Sequence, residues 1–201
     1  SNGNKIKGIA MRKLKLQVQI SVNGFVGGPN GELDFMTWDW GDDIKAYVTE
    51  LTNSMDTIIL GRKLAEGFIP YWADVKANPD HPENEAGRSF TDTPKIVFSK
   101  TLNKSLWDNT TIINGDLVSE IKKLKDKPGK SIIAYGGAEF VSSLVKENLI
   151  DEYYLFVNPV VIKEGLTIFD KISDMKKFSL ADSKRFDCGI NLLCYKVNVD
   201  L

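Results

Sequence analysis

The stretch SIIAYGGAEFVSSLVKENL, residues 131–149, decides the class of fold. It is apolar from Ile132 to Tyr135, breaks at the paired glycines Gly136 and Gly137, and resumes with Phe140, Val141, Leu144 and Val145 at helical spacing. A short apolar run bounded by glycine reads as a strand covered on both faces, and the spacing after it as an amphipathic helix. The same order repeats upstream. LKLQVQISV (14–22), DTIILG (56–61), KIVFS (95–99) and TTIIN (110–114) read as strands, and DDIKAYVTELTNSM (42–55) and DLVSEIKKLKD (116–126) as helices, the first with Asp42 or Asp43 as N-cap. Strand and helix alternate through Leu149, which argues for a mainly parallel sheet with helices on both faces.

Beyond Leu149 the pattern changes. DEYYLFVNPVVI (151–162), KFSLADSKRF (177–186) and INLLCYKVNV (190–199) read as strands, the last two joined across Asp187-Cys188-Gly189 as an antiparallel hairpin. The expected architecture is one α/β domain over 12–201 with a mixed sheet of about eight strands, and residues 1–11 read as a disordered leader. Residues 73–94 contain three prolines and no usable periodicity, so they read as a long loop, with the single histidine, His81, as a solvated loop residue. Leu192, Cys194 and Val197 are apolar positions available to extend the sheet or to meet a second copy.

Composition excludes several function classes. Across 201 residues, 26 Lys and Arg face 27 Asp and Glu, a net charge of -1 that supplies no field for nucleic acid or an anionic membrane. The two cysteines, Cys188 and Cys194, have no metal-ligand spacing and read as buried thiols. Charged residues run through the amino end, which leaves no apolar core for a signal peptide or a membrane span. The expectation is a cytoplasmic protein.

Three strand ends carry similar punctuation: Gly61-Arg62-Lys63, Ser99-Lys100-Thr101 and Gly136-Gly137-Ala138. In an open α/β sheet, ligands collect at the carboxyl ends of parallel strands, so the three clusters should face one crevice. Glycine before a helix lets unpaired N–H groups approach an anion, and the helix N-terminus adds partial positive charge. Arg62 and Lys100 add full charges, and Ser99 and Thr101 add hydroxyls. Any one cluster alone serves equally well as a plain strand-to-helix turn. Neither a G-x-G-x-x-G fingerprint nor a P-loop is present.

The succession ISVNGFVGGPNGELDF, DTIILGRKLAEGF…YW, KIVFSKTL, IIAYGGAEFVSSLV and LIDEYYLFVNPVVI resembles the dihydrofolate reductase-like superfamily. The closer likeness is to the branch holding the reductase domain of the bifunctional riboflavin-biosynthesis deaminase-reductase and its stand-alone relatives. It spans essentially Arg12 to Leu201. The resemblance implies a three-layer fold, NADPH as cofactor, a small flat heterocycle of pteridine or pyrimidine type as substrate, and a homodimer. It implies that Gly61 and Arg62 lie beside the cofactor phosphates and that Ser99, Lys100 and Thr101 meet the adenosine 2′-phosphate. By the same resemblance Gly136, Gly137, Ala138 and Glu139 receive the pyrophosphate, and Gly24 through Asp34 form a mobile loop over the nicotinamide. The chain departs from the family at Leu64, where a threonine is usual, and at Asn23, where aspartate is common. TELTNSMD, before the second strand, lacks the arginine that would hold a substrate's ribose phosphate, and no zinc deaminase motif is present.

Hydride transfer needs a held acceptor and a proton source. Asp34 is flanked by Leu33, Phe35 and Met36, an apolar setting of the kind that raises a carboxyl's pKa, and otherwise reads as a solvated turn residue. Asp43 stands near the position where dihydrofolate reductases carry a pterin-binding carboxylate, and otherwise reads as a cap. Asn23, Phe25, Trp38 and Trp72 are the candidates for substrate contact, the rings by stacking. Asp151 and Glu152 are neighbours on a strand and point to opposite faces, which argues against a shared proton. Two alternatives stay open: genuine dihydrofolate reduction, and a non-catalytic NADP(H)-binding or sensor protein that retains the fold.

Overall fold

The computed structural model describes residues 11–198. The expected leader therefore lies outside the described residues except for Met11. The elements run β1 (Leu14–Ser21), α1 (Asp42–Asn53), β2 (Met55–Gly61), α2 (Arg62–Ala77), α3 (Asn84–Asp92), β3 (Lys95–Phe98), β4 (Thr110–Ile113), α4 (Leu117–Asp126), β5 (Ser131–Tyr135), α5 (Ala138–Lys146), β6 (Glu152–Asn158), β7 (Phe178–Arg185) and β8 (Asn191–Val197).

They form one 8-stranded sheet in the order β4-β3-β2-β5-β1-β6-β8-β7. β1 to β6 are parallel, and β8 is antiparallel to both β6 and β7, closing the expected hairpin. The strand order reverses about β1, with β5 and β2 on one side and β6 on the other. That is where an open α/β sheet collects ligands.

Two apolar clusters cover the two faces, so the molecule has three layers. Leu14, Leu16, Val18 and Ile132 pack under Ile121 of α4 and Leu144 of α5. On the opposite face Ile58, Leu60, Ile133 and Phe156 pack under Ile44 and Leu51 of α1 and Ala65 and Ile69 of α2. Among the described residues no helix is long and apolar enough to cross a membrane.

The stretch 73–94 is not a long loop. α2 continues through Ala77, and α3 occupies Asn84–Asp92. α3 was illegible because only Gly87 of its residues is fully buried. It is held by contact, since a Cβ on Gly87 would stand 2.7 Å from the Lys76 backbone nitrogen, and Phe90 packs on Phe68, Trp72 and Tyr135. Glycine thus lets α3 lie against α2 at backbone distance. His81 sits in the turn between them, where its Nδ1 accepts the Glu83 N–H at 3.0 Å.

Two other expectations change. The N-cap of α1 is Gly41, not Asp42 or Asp43. Leu192, Cys194 and Val197 extend the sheet in β8, with Leu192 and Cys194 buried within the chain and so unavailable to a second copy; both cysteines are free thiols, Cys188 only half-buried.

Candidate active site

The three glycine- and cation-bearing strand ends meet, as their parallel order requires. Gly61, Ser99 and Gly136 follow β2, β3 and β5, which are neighbours in the sheet. α2 begins after Gly61 and α5 after Gly137, and neither N-terminus has a side-chain cap. α4 differs, because Asp116 caps it by accepting the Ser119 N–H at 3.0 Å. The first-turn N–H groups of α2 and α5 are therefore left without a side-chain partner at the crevice, the arrangement that binds phosphate.

The two helix starts are held together by contact. A Cβ on Gly61 would lie 2.7 Å from the Phe140 Cβ, one on Gly136 would lie 3.2 Å from Val18, and Phe140 stacks on Phe98 with centroids 5.3 Å apart. Lys63 and Glu139 approach to 3.7 Å across the junction, both well exposed. Arg62 pairs with Glu66 at 2.8 Å one turn along α2. Such an exposed pair contributes at most about 0.5 kcal/mol, so an arriving phosphate can take the guanidinium.

The loop after β3 divides its labour. Ser99 is buried, and its Oγ accepts the N–H groups of Thr101 at 3.2 Å and Leu102 at 3.0 Å. Ser99 shapes the turn, and Lys100 and Thr101 stand exposed on it. The chain thus offers an anion two uncapped helix starts and an exposed lysine loop.

The reacting half of the site differs from the sequence expectation. Asp34 is exposed in a turn, so the apolar burial that would make it a proton donor is missing. Both Asp43 oxygens are occupied by backbone, Oδ1 by Ile44 N–H at 2.7 Å and Oδ2 by Asp187 N–H at 2.9 Å. Asp43 clamps α1 to the β7–β8 hairpin. Asn23 is likewise a clamp, since its Nδ2 donates to the Ile162 carbonyl at 2.7 Å and its Oδ1 accepts from Ser21 Oγ at 2.8 Å. The loop expected to be mobile from Gly24 to Asp34 is pinned in its first half, where Val26 and Gly27 exchange backbone bonds with Leu166. Phe25 belongs to that pinned half and packs by Gly165.

Trp72 stands apart from the start of α2. It lies ten residues along α2, about 15 Å from the helix start, within a cluster of Phe68, Tyr71 and Phe90. Trp38 is 67% exposed and lies against Trp40 with centroids 6.4 Å apart. Asp151 and Glu152 separate as expected. Asp151 pairs with Lys125 at 2.9 Å and accepts the Leu14 N–H at 2.8 Å, whereas Glu152 accepts from Tyr154 and Lys13.

What sequence reading missed is the other face of β1. Leu14, Leu16, Val18 and Ile20 face α4 and α5, so Lys15, Gln17 and Gln19 face the side of α1 and α2. α1 packs over β6 and the β7–β8 hairpin through Tyr47, Phe156 and Phe186, and α2 packs over β5 through Phe68 and Tyr135. β1 lies between them and floors a polar cleft. At one level of the sheet Gln17 is flanked by Tyr135 and Tyr154; the Gln17 Oε1 is buried with no partner, and the buried Tyr135 hydroxyl has only the Thr52 side chain near it. Burial pushes the Tyr135 phenol well above its ordinary range, so it is neutral. An unpaired buried polar group costs about 1–3 kcal/mol, which singles out this level.

One level higher, Asn158 is fully buried. Its Nδ2 donates to Gln19 Oε1 at 2.8 Å, and its Oδ1 accepts the Thr37 N–H at 2.8 Å. Thr37 in turn accepts from the Trp40 indole at 2.7 Å, which ties the cleft floor to the tryptophan pair at its mouth. The signal was in the sequence: a central strand covered on both faces has no reason to alternate leucine with lysine and glutamine unless one face meets something polar.

A separate hollow of about 450 Å³ lies between β3, β4 and α4, lined by Ile96, Thr111, Glu120 and Lys123 among others. Its charged lining is the solvated face of α4, where Glu120 and Lys123 already pair at 3.4 Å. Among the described residues no cluster of His, Cys, Asp and Glu is arranged to hold a metal.

Comparison with known proteins agrees with the fold. The chain is 32% identical over 191 residues, 94% of its length and 97% of the relative's, to the uncharacterized protein YyaP of Bacillus subtilis. It is 28% identical over 182 residues, 90% and 96% of the two chains, to the uncharacterized protein YwjB of the same organism. Among solved structures, a putative riboflavin biosynthesis protein from Shewanella sp. PV-4 superposes with a TM-score of 0.69 at 19% identity, covering 94% of this chain and 100% of that one. The diaminohydroxyphosphoribosylaminopyrimidine deaminase/5-amino-6-(5-phosphoribosylamino)uracil reductase of Thermotoga maritima gives 0.66 at 16% identity, and the match takes in 94% of this chain but 57% of that longer one. These likenesses show the fold, that of the dihydrofolate reductase-like reductases. The model of the RibD C-terminal domain matches residues 12–192, and the chain belongs to that family.

Proposed function

We propose that the chain is an NADPH-dependent reductase that transfers hydride to a small flat heterocycle of pteridine or pyrimidine type. The observation that carries this reading is the pair of uncapped helix starts at Gly61 and Gly137, set beside the exposed Lys100 loop and opening onto the polar floor of β1. Gly61, Arg62, Gly136, Gly137, Ala138 and Glu139 would hold the pyrophosphate side, and Lys100 and Thr101 the 2′-phosphate. NADPH, when bound, supplies the hydride. The chain's own part is to orient the acceptor between the tryptophan pair and β1 and to keep water from the cleft.

The substrate reading is narrowed by what α1 carries. Its acids Asp42, Asp43 and Glu50 are all exposed, so none is aimed at the cleft as dihydrofolate reduction would require. The same observation favours a second reading, a non-catalytic NADP(H) sensor, because none of these α1 acids is turned to the cleft as a proton source. Calorimetric titration with NADPH and NADH, followed by oxidation of bound NADPH against pteridines and aminopyrimidines, separates the readings. Reductase activity requires binding and turnover; tight binding with no turnover on any acceptor supports the sensor. Lys100→Ala should weaken NADPH about tenfold and leave NADH unchanged, since only NADPH presents the 2′-phosphate. Equal losses would remove Lys100 from that role.

A further inference from the structure

We infer that Gln17 and Gln19 are the residues by which the cleft selects its ligand, and that they read the edge of a ring carrying a cyclic amide, with Gln19 presenting its NH2 group and Gln17 its carbonyl. The inference rests on reading the cleft as the acceptor site and goes beyond it by naming which side chains recognise the acceptor and through what pattern.

An amide's two ends are nearly alike in shape, so its orientation is assigned from its partners. For Gln19 the partner decides. Asn158 is fully buried, and its Oδ1 is taken by the Thr37 backbone N–H, which leaves Nδ2 as the group facing Gln19. A donor there requires Gln19 Oε1 to point at Asn158. The Gln19 Nε2 is turned the other way as a donor with two hydrogens. Asn158 is thus a positioning residue.

Register then places Gln19. Gln17 pairs with Tyr135, the last residue of β5, so the next residue on the same face of β1, Gln19, stands past the end of β5, on the side where the chain enters α5. A donor at that height adjoins both the anion cradle and the cleft. Gln17, two residues back on the same face, lies about 7 Å away. Its Oε1 is buried without a partner, one strand away from Tyr135. The floor therefore shows one oriented donor and one unanswered acceptor on a single strand face. A ring with adjacent C=O and N–H groups complements that pair; a ring whose nitrogens are methylated does not.

Three heterocycles test this: 5-aminouracil, lumazine and pterin, each with its ring-N-methylated counterpart, titrated calorimetrically into the full chain with and without NADPH. Quenching of the Trp38–Trp40 fluorescence follows the same binding, because Thr37 links Trp40 to Asn158. At least one parent ring should bind tenfold or more tightly than its methylated form. Gln17→Met and Gln19→Met, which keep side-chain length, should each lose about tenfold for the parent and little for the methylated ring, both titrated on the folded protein, since Gln19→Met also removes the acceptor of the buried Asn158 Nδ2 and should lower the melting temperature. Binding of the parent rings that is indifferent to methylation, or to both substitutions, overturns the inference, as does NADPH binding with no binding of any ring. Failure to bind NADPH while a parent ring is still selected over its methylated form overturns the reductase reading and leaves this one standing.

Discussion

The two edges of the sheet are built to opposite rules. At the amino edge most polar groups are answered from within the chain, the buried Thr91 Oγ1 being an exception among the described residues. Arg12 donates to the Lys130 and Leu124 carbonyls, to Thr57 and to Asp56; Asp56 also accepts the Lys130 N–H. Lys125 bridges Asp151 and the Leu149 carbonyl, and Lys95 caps three carbonyls at the end of α3. At the carboxyl edge two helix starts are uncapped, and the cleft floor nearby keeps the Gln17 amide oxygen unpaired. Saturated polar groups hold a fold together; unsaturated ones are kept for something the chain does not supply. The amino edge should therefore govern stability and the carboxyl edge ligand binding, with the two separable by substitution.

The sharpest break is Arg12→Ala. The guanidinium is buried and serves four partners, and its removal leaves the Asp56 carboxylate and two carbonyls without it. Breaking such a pair costs about 3–5 kcal/mol when both charges are buried, and the partial exposure of Asp56 brings the expectation to about 3 kcal/mol. Urea unfolding measures it. NADPH affinity, titrated on the folded fraction, should stay within twofold, and a tenfold fall would show that the edges are coupled.

Gly61→Ala tests the one place where the carboxyl edge is also tightly packed. The new Cβ would meet the Phe140 Cβ at 2.7 Å, an atom fixed to the α5 backbone that cannot swing aside. Overpacking of this kind costs about 2 kcal/mol. The substitution should lower both stability and NADPH affinity, since it spreads the two helix starts apart. An unchanged midpoint in urea would mean the α2–α5 junction yields.

Gly137→Ala separates what Gly61→Ala combines. Its Cβ would stand 3.6 Å from Leu64, an ordinary contact, and its φ of -151° is extended backbone open to any residue. Stability should be unchanged, while a methyl at the head of α5 crowds the pyrophosphate and weakens NADPH about tenfold, or about 1.4 kcal/mol. Unchanged affinity would move the phosphate elsewhere.

The same contrast explains what could be read in advance. Strand-helix alternation follows from local apolar pattern, so the sheet, the hairpin and the convergence of Gly61, Ser99 and Gly136 were legible. α3 was not, because Phe90 and Gly87 earn their helix through contacts with α2. The role of Asp43 depends on an N–H donated by Asp187, 144 residues away, and that of Asn23 on Ile162, 139 away. No local pattern encodes either. The alternation of LKLQVQI was visible, but its meaning needed the topology that puts β1 at the centre of the sheet with a gap between helices above it.

The smallest effect lies below the cleft, where β6 begins. Glu152 is buried; burial alone would raise its pKa, but hydrogen bonds from Tyr154 and Lys13 and the charge of Lys15 outweigh it and hold the carboxyl below its ordinary 4.5. A carboxylate with a lower pKa in the folded chain stabilises the fold above its unfolded pKa and loses that contribution as pH falls through the folded one. Glu152→Gln should therefore cost about 1 kcal/mol near neutral pH. The difference from the parent chain should shrink as the pH drops below about 4.5 and close below the folded pKa. Urea midpoints measured from pH 7 down to acid, parent against variant, give the curve. Because Glu152 belongs to the answered set of groups, NADPH affinity should be unmoved across it; a pH-dependent loss of binding in the variant would instead place Glu152 in contact with the cleft through Tyr154 and Lys15.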